Sequence, residues 1–351
     1  MRKILFAASV ALVLGSCSNE ISESYKTPGD LREMTVQTYT AGNTRLYNEA
    51  NDQTLVSDGF MLYVESAGEL KYNQMMYFVK GQDNDPGHFM FGTVDEPVKV
   101  TWPYDETQQV NFIGLHYAYM YYPDGFDADN GFKLDVAQIL THGITSYDHD
   151  SAPLALSSSG SETTDIIVTR KSATFADTNE TGVIELQFGH ILSKVKMMLK
   201  GEAGKTYDVS EVIMTAKSAA SVYDLSTGDW SSASDADAKP IVYMFSGGAA
   251  WISSIAFDGG TDAVALAKNE NDYDRSMVLI PGDYTISISY QYAQSGTYSY
   301  SEVITKQADV SINAGESNVF VLNIGPNKTQ LVIDASLSDW STADAQTPEL
   351  D

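Results

Sequence analysis

The single thiol of the chain is Cys17, and it stands where a thiol has a specific chemistry open to it. Ahead of it come a basic head, Arg2-Lys3, an apolar run from Ile4 to Leu14, and the small residues Gly15 and Ser16. A run that short does not span a bilayer, and a basic head with a small-residue exit marks an export peptide that is removed. A cysteine at that exit can take diacylglycerol on its sulfur, with cleavage just before it. The expectation is a signal peptide over 1–16 and a chain lipid-tethered at Cys17. The plainer alternative is an ordinary signal peptide cut near a cysteine. Once Cys17 is acylated, no thiol remains for disulfides, nucleophilic catalysis or zinc–thiolate sites.

Other residues capable of chemistry are sparse. Asp148-His149-Asp150, with His142 upstream, could be drawn as metal ligands or as an acid/base pair. No second cluster stands at ligand spacing, and a polar loop accounts for the motif. Asp127-Ala128-Asp129-Asn130-Gly131 opens like a calcium loop, but glycine holds the fifth position and no glutamate follows at the required place. His190 reads as a structural histidine within a strand. There is no glycine-rich phosphate loop, nucleophile elbow or pair of catalytic histidines. The chain is therefore expected to be no enzyme, with no metal and no cofactor. Its 47 Asp and Glu against 21 Lys and Arg give a formal charge of −26, which repels nucleic acid and anionic membrane surfaces.

The elements that carry these residues read as β-strands. Apolar and polar residues alternate in short runs at Met61–Val64, Val110–Leu115, Ile166–Val168, Val183–Phe188, Val195–Leu199, Tyr284–Tyr290 and Val319–Ile324. Turn residues separate them, as at Asp124-Gly125, Asn130-Gly131, Gly228-Asp229 and Ala314-Gly315. The 21 Tyr and 12 Met suit broad sandwich faces. Glu20 to Asp30 is polar and holds Pro28-Gly29, which suggests a tether. Length predicts two domains, each large enough for its own core, with the junction in the polar segment Ala176–Gly182.

Several motifs then carry a resemblance. Thr101-Trp102-Pro103, Val110-Asn111-Phe112 and Tyr119-Met120-Tyr121-Tyr122-Pro123 follow one another in order. Next come Leu186-Gln187-Phe188-Gly189-His190-Ile191-Leu192-Ser193-Lys194-Val195, Tyr223-Asp224-Leu225-Ser226-Thr227-Gly228-Asp229-Trp230, Leu279-Ile280-Pro281 and Ser338-Asp339-Trp340. Together they resemble fimbrillins, the subunits of type V pili, over most of the chain. That resemblance implies an all-β chain of two transthyretin-like antiparallel β-sandwich domains, at 46–180 and 181–351. It also implies export as an outer-membrane lipoprotein on the cell surface, and polymerisation with other pilus subunits into an adhesive fimbrium, whose host or bacterial ligand the motifs do not name.

In the family a protease cuts after a basic residue, the first strand departs, and a neighbour's strand fills the groove by β-strand addition. Carried onto this sequence, 17–45 is tether and propeptide strand, Glu33–Thr40 the strand, Ala41-Gly42-Asn43 a turn, and Arg45-Leu46 the bond cut. Lys26 and Arg32 are competing basic residues, but a cut after Arg32 leaves the strand attached. Read without the family, Arg45 is a solvated loop residue. The donor would be 329–340, where Leu331, Ile333, Ala335 and Leu337 share one face at a spacing of two and Val332, Asp334 and Ser336 face away. The alternative is that this is the last strand of its own domain. Asp150-Ser151-Ala152 matches a three-residue O-glycosylation signal of exported proteins in such bacteria. The competing function is a lipid-anchored glycan- or protein-binding surface receptor, for which Trp102, Trp230, Trp251 and Trp340 would supply contacts.

Overall fold

The computed structural model describes residues 32–40, 52–80, 88–93, 95–117, 132–140, 155–157, 165–218, 220–232, 242–246, 255–266, 276–297, 299–326 and 330–339. It is all-β, built of several sheets, as the alternation predicts. The first half contributes β1 (Thr35–Thr40), β2 (Phe60–Ser66), β3 (Glu69–Val79), β4 (His88–Phe91), β5 (Val110–Tyr117), β6 (Lys133–Asp135), β7 (Ala155–Ser157), β8 (Ile166–Ala173) and β9 (Val183–His190). Two short helices, α1 (Asp52–Asp58) and α2 (Val136–Leu140), join them. The second half contributes β10 (Ser193–Gly201), β11 (Lys205–Ala216), β12 (Ala220–Asp224), β13 (Trp230–Ser232), β14 (Val242–Ser246), β15 (Ile255–Asp258) and β16 (Val264–Ala265). It ends with β17 (Ser276–Leu279), β18 (Gly282–Gln294), β19 (Ile304–Ile312), β20 (Glu316–Ile324) and β21 (Val332–Asp339).

Seven strands close into a barrel in the order β1-β4-β3-β2-β5-β8-β9, with β9 returning to β1. Its interior is filled by alternate residues. Phe60, Leu62 and Val64 of β2, Val110 and Phe112 of β5, and Ile184, Leu186 and Phe188 of β9 all belong to one buried cluster. Their neighbours Met61 on β2 and Ile113 and Leu115 on β5 point the other way, into a second cluster shared with the later sheets. β2 and β5 thus have two apolar faces, and their near-continuous hydrophobic runs follow from that double burial. β9 faces outward with Glu185 and Gln187, so its pattern is cleanly alternating.

Gly114 of β5 marks a close approach inside the barrel: a Cβ there would lie 2.5 Å from Thr169 Cγ2 and 2.9 Å from Phe188 Cζ. Trp102 plugs the same core. It is buried against Phe112 and Phe175, and its Nε1 donates to the Gly182 carbonyl at 3.0 Å.

The later sheets surround the second cluster. One has the order β16-β10-β20-β21, with β17 also on β10; another runs β19-β18-β11-β14-β7, with β15 also on β11; a third is β13-β12-β6. Tyr243 and Tyr284 are buried between them and turn their hydroxyls to the Ile280 backbone, Tyr243 accepting from its N–H and Tyr284 donating to its carbonyl.

The sequence sets a junction at Ala176–Gly182 and a domain boundary at 180/181. In the structure the strand that begins at Val183 pairs with β1 and β8 and completes the barrel, so the chain leaves the barrel at Ile191-Leu192. β6, α2 and β7, whose residues the sequence puts in the first domain, join the later sheets: β6 pairs with β12, β7 with β14, and Leu134, Val136, Ala137 and Leu140 enter the second cluster. Local alternation names a strand but not its neighbour.

Candidate functional site: the strand that closes the barrel

β1 is the strand that closes the barrel between β4 and β9. It lies parallel to β9 from Thr35↔Val183 to Thr40↔Phe188, and meets β4 antiparallel at Val36↔Phe89. Among the described strands of the barrel it makes the one parallel pairing, a ladder slightly weaker per residue than an antiparallel one. Met34 and Val36 point inward and are buried in the barrel cluster, while Gln37 faces solvent. Without β1, the backbone groups of β9 along 183–188 lose their partners and the cluster opens along one seam.

The entry to β1 is clamped. Arg32 accepts the Trp102 N–H on its carbonyl at 2.8 Å, and Met34 N donates to the Val100 carbonyl at 2.8 Å. Thr35 N donates to the Gly182 carbonyl at 3.1 Å. The Arg32 guanidinium lies 4.3 Å from the centre of the Phe175 ring and ion-pairs with Glu106 at 2.6 Å. Gly182 has a φ of +76°, and a Cβ there would sit 2.7 Å from the Glu33 carbonyl oxygen, so glycine is required where β1 passes. The sequence offers Arg32 as a rival cleavage residue; its place as an anchor for β1 has no local sequence signal.

The expected donor segment lies on its own chain. β21 pairs antiparallel with β20, from Glu316↔Asp339 to Asn323↔Val332. Leu331 is buried and Ile333 half-buried against the second cluster, whereas Ala335 is exposed and Leu337 is 61% exposed. Asn323 Nδ2 donates to Asp334 at 2.9 Å, tying the two strands from their edge. Val332, on the opposite face, is 48% exposed. The structure therefore brings Leu331 and Ile333 together on the core and leaves Ala335 and Leu337 facing solvent.

Cys17, Lys26, Arg45 and Leu46 lie outside the described residues, as do Asp127–Gly131, His142, Asp148–Asp150, Ser151, Trp251 and Trp340. Among the described residues no group of three or more His, Cys, Asp or Glu could hold a metal, and no helix is long and apolar enough to cross a membrane.

His190 ends β9 and is buried, its Nδ1 2.9 Å from Asp165 Oδ2. His116 of β5, which the sequence did not single out, is buried too, and its Nδ1 donates to the Gly59 carbonyl at 2.7 Å. Burial pushes the His116 pKa down, against smaller opposing effects of the Gly59 bond, Asp58 and Asp165.

A model of fimbrillin-like proteins matches residues 44–340, and the chain belongs to that family. It is similar to a fimbrial protein from Bacteroides vulgatus at 15% identity, covering 88% of this chain and 99% of that one with a TM-score of 0.53. It is also similar to a putative cell adhesion protein from Bacteroides uniformis at 14% identity (88% and 98% covered, TM-score 0.41). A fimbrial assembly protein from Parabacteroides distasonis follows at 11% identity (88% and 96% covered, TM-score 0.40). At such identities the first of these likenesses speaks to the fold alone. No curated protein matches the chain.

Proposed function

We propose that this fimbrillin-like chain is a structural subunit of an adhesive surface pilus, exported as a lipoprotein through Cys17 and polymerised by strand exchange after cleavage between Arg45 and Leu46. The observation that carries the reading is β1 itself. It is a complete barrel strand, buried at Met34 and Val36, placed in sequence before Arg45 and joined to its neighbours by one parallel ladder and one register pair. Loss of such a strand leaves a groove with unpaired backbone on β9 and inward pockets at a spacing of two, which is what an extended peptide from another subunit can fill.

The donor in this proposal is 329–340, released from β20. Its exposed Ala335 and Leu337 continue the comb begun by Leu331 and Ile333, so the strand has apolar side chains that its own chain does not cover. The competing reading, a lipid-anchored surface receptor, keeps β1 in place and needs no exchange.

The two are separated by blocking the cut. Arg45→Ala should stop both conversion to a chain beginning at Leu46 and assembly into polymers. Arg32→Ala should leave cleavage intact, since its peptide bond is not the one proposed to be cut. Equal polymer yield from Arg45→Ala and wild type, measured by gel and electron microscopy of surface extracts, would rule out strand release.

A further inference from the structure

Where the barrel meets the later sheets there is an open cleft of about 710 Å³, within the usual size range of small-ligand sites. One wall is Arg170 of β8 and Gln187 of β9; the other is Tyr223, Gly228 and Trp230 around the β12–β13 turn; Asn313 lies at the end of β19. Arg170 is the one Lys, Arg, Asp or Glu among the residues that line it, on a chain of formal charge −26.

That guanidinium, on an exposed residue, lies against the β12–β13 turn. It lies 5.8 Å from the centre of the Tyr223 ring, and Tyr223 packs on Trp230 at 5.0 Å. Gly228 has a φ of +86°, and a Cβ there would lie 2.0 Å from Arg170 Nη1, so the turn leaves backbone against the arginine. The turn is itself fixed: the Asp224 carboxylate accepts from Ser226 N at 2.8 Å and Thr227 N at 3.1 Å, and Gly228 N donates to the Asp224 carbonyl at 2.8 Å. Trp230 is half-exposed, and Gln187 and Asn313 are exposed amides.

We infer that this cleft binds a saccharide ending in an acidic sugar, its carboxylate on Arg170 and its ring against Trp230. A guanidinium fork matches a carboxylate bidentately, and an indole face suits the C–H side of a sugar ring. One cation neutralises one carboxylate, and the chain's negative field repels dense polyanions, so the ligand is a single terminal acid rather than a repeating anionic polymer. This gives the proposed adhesive role a ligand class, but the site lies on a single subunit and does not need strand exchange.

The experiment is calorimetric titration of the detergent-solubilised full chain with 3′-sialyllactose, methyl β-glucuronide, lactose and polymeric hyaluronan. One or both of the first two should bind saturably, and lactose and hyaluronan at least about tenfold more weakly. Arg170→Gln should weaken binding by about tenfold or more, with partial recovery in Arg170→Lys, and Trp230→Ala should weaken it as well. Because Arg170 is exposed, its variant should unfold at the same denaturant concentration as wild type, which keeps loss of binding separate from loss of fold. The inference is overturned if neither acidic probe saturates by about 10 mM, if lactose binds equally, if Arg170→Gln binds unchanged, or if a peptide C-terminal carboxylate competes as well as sialyllactose. A chain that binds but does not polymerise leaves this inference standing and refutes strand release instead.

Discussion

Replacing Val36 with Ala probes whether β1 is a working part of the barrel. Val36 has no exposed surface, and its register partners are Phe89 on β4 and Ile184 on β9. Two carbons leave the interior, at about 0.8 kcal/mol each, and the cavity they vacate brings the expected loss to about 2–3 kcal/mol. Gln37→Ala, one residue along and facing solvent, should stay within about 0.5 kcal/mol of wild type. Urea unfolding of the uncleaved chain measures both. Hydrogen exchange then locates the effect: a local loss of about 2 kcal/mol speeds opening roughly thirtyfold, and the amides to watch are those of 35–40 and 183–188. If the two variants unfold alike, or if exchange quickens in β18 and β19 as much as in β1 and β9, then β1 does not close the barrel as argued.

Further outcomes follow from the same geometry. Cys17→Ser should abolish palmitate labelling and partition into detergent; normal labelling would remove the lipid anchor from the account. Leu337→Asp should leave monomer stability within about 0.5 kcal/mol, because the side chain is 61% exposed, yet prevent chaining, while Val332→Lys should chain normally. Ile333→Asp should instead lower the stability of the monomer, since that side chain is half-buried on the second core. If Leu337→Asp chains as well as wild type, 329–340 is not the donor. His116 makes stability depend on pH. Its folded pKa lies below the ordinary value near 6.5, so the unfolded chain binds the extra proton first and stability declines as pH falls below about 6.5. His116→Gln should flatten that decline in acid-unfolding curves, and an unchanged slope would assign it elsewhere.

Much of the fold was legible because the barrel writes a simple pattern. Ile184, Leu186 and Phe188 alternate with exposed Glu185 and Gln187, so β9 is plain as a strand from sequence. Its parallel partner is β1, some 150 residues earlier, and no local pattern carries that pairing. The crossing of β6, α2 and β7 to the later sheets was hidden for the same reason. Trp102 was recognisable as part of a motif, but sequence could not say that it is buried with its Nε1 on Gly182 rather than displayed for a ligand.

The candidate site was half legible. Glu33–Thr40 was identified as a strand and contains β1, whereas the Arg32 clamp on Phe175 and Glu106 joins residues far apart in the chain. The comb at 331, 333, 335 and 337 was equally readable, yet its division into a covered half and an exposed half depends on where β20 ends its cover. Arg170 looked like one of few arginines and nothing more. Its meaning comes from Gly228, whose missing side chain makes room for the guanidinium.

The most direct measurement is N-terminal sequencing and intact mass of the chain recovered from surface polymers. The polymer subunit is expected to begin at Leu46, without acyl groups and without residues 32–40. A polymer whose subunits begin at a blocked, acylated Cys17 and keep β1 would contradict it.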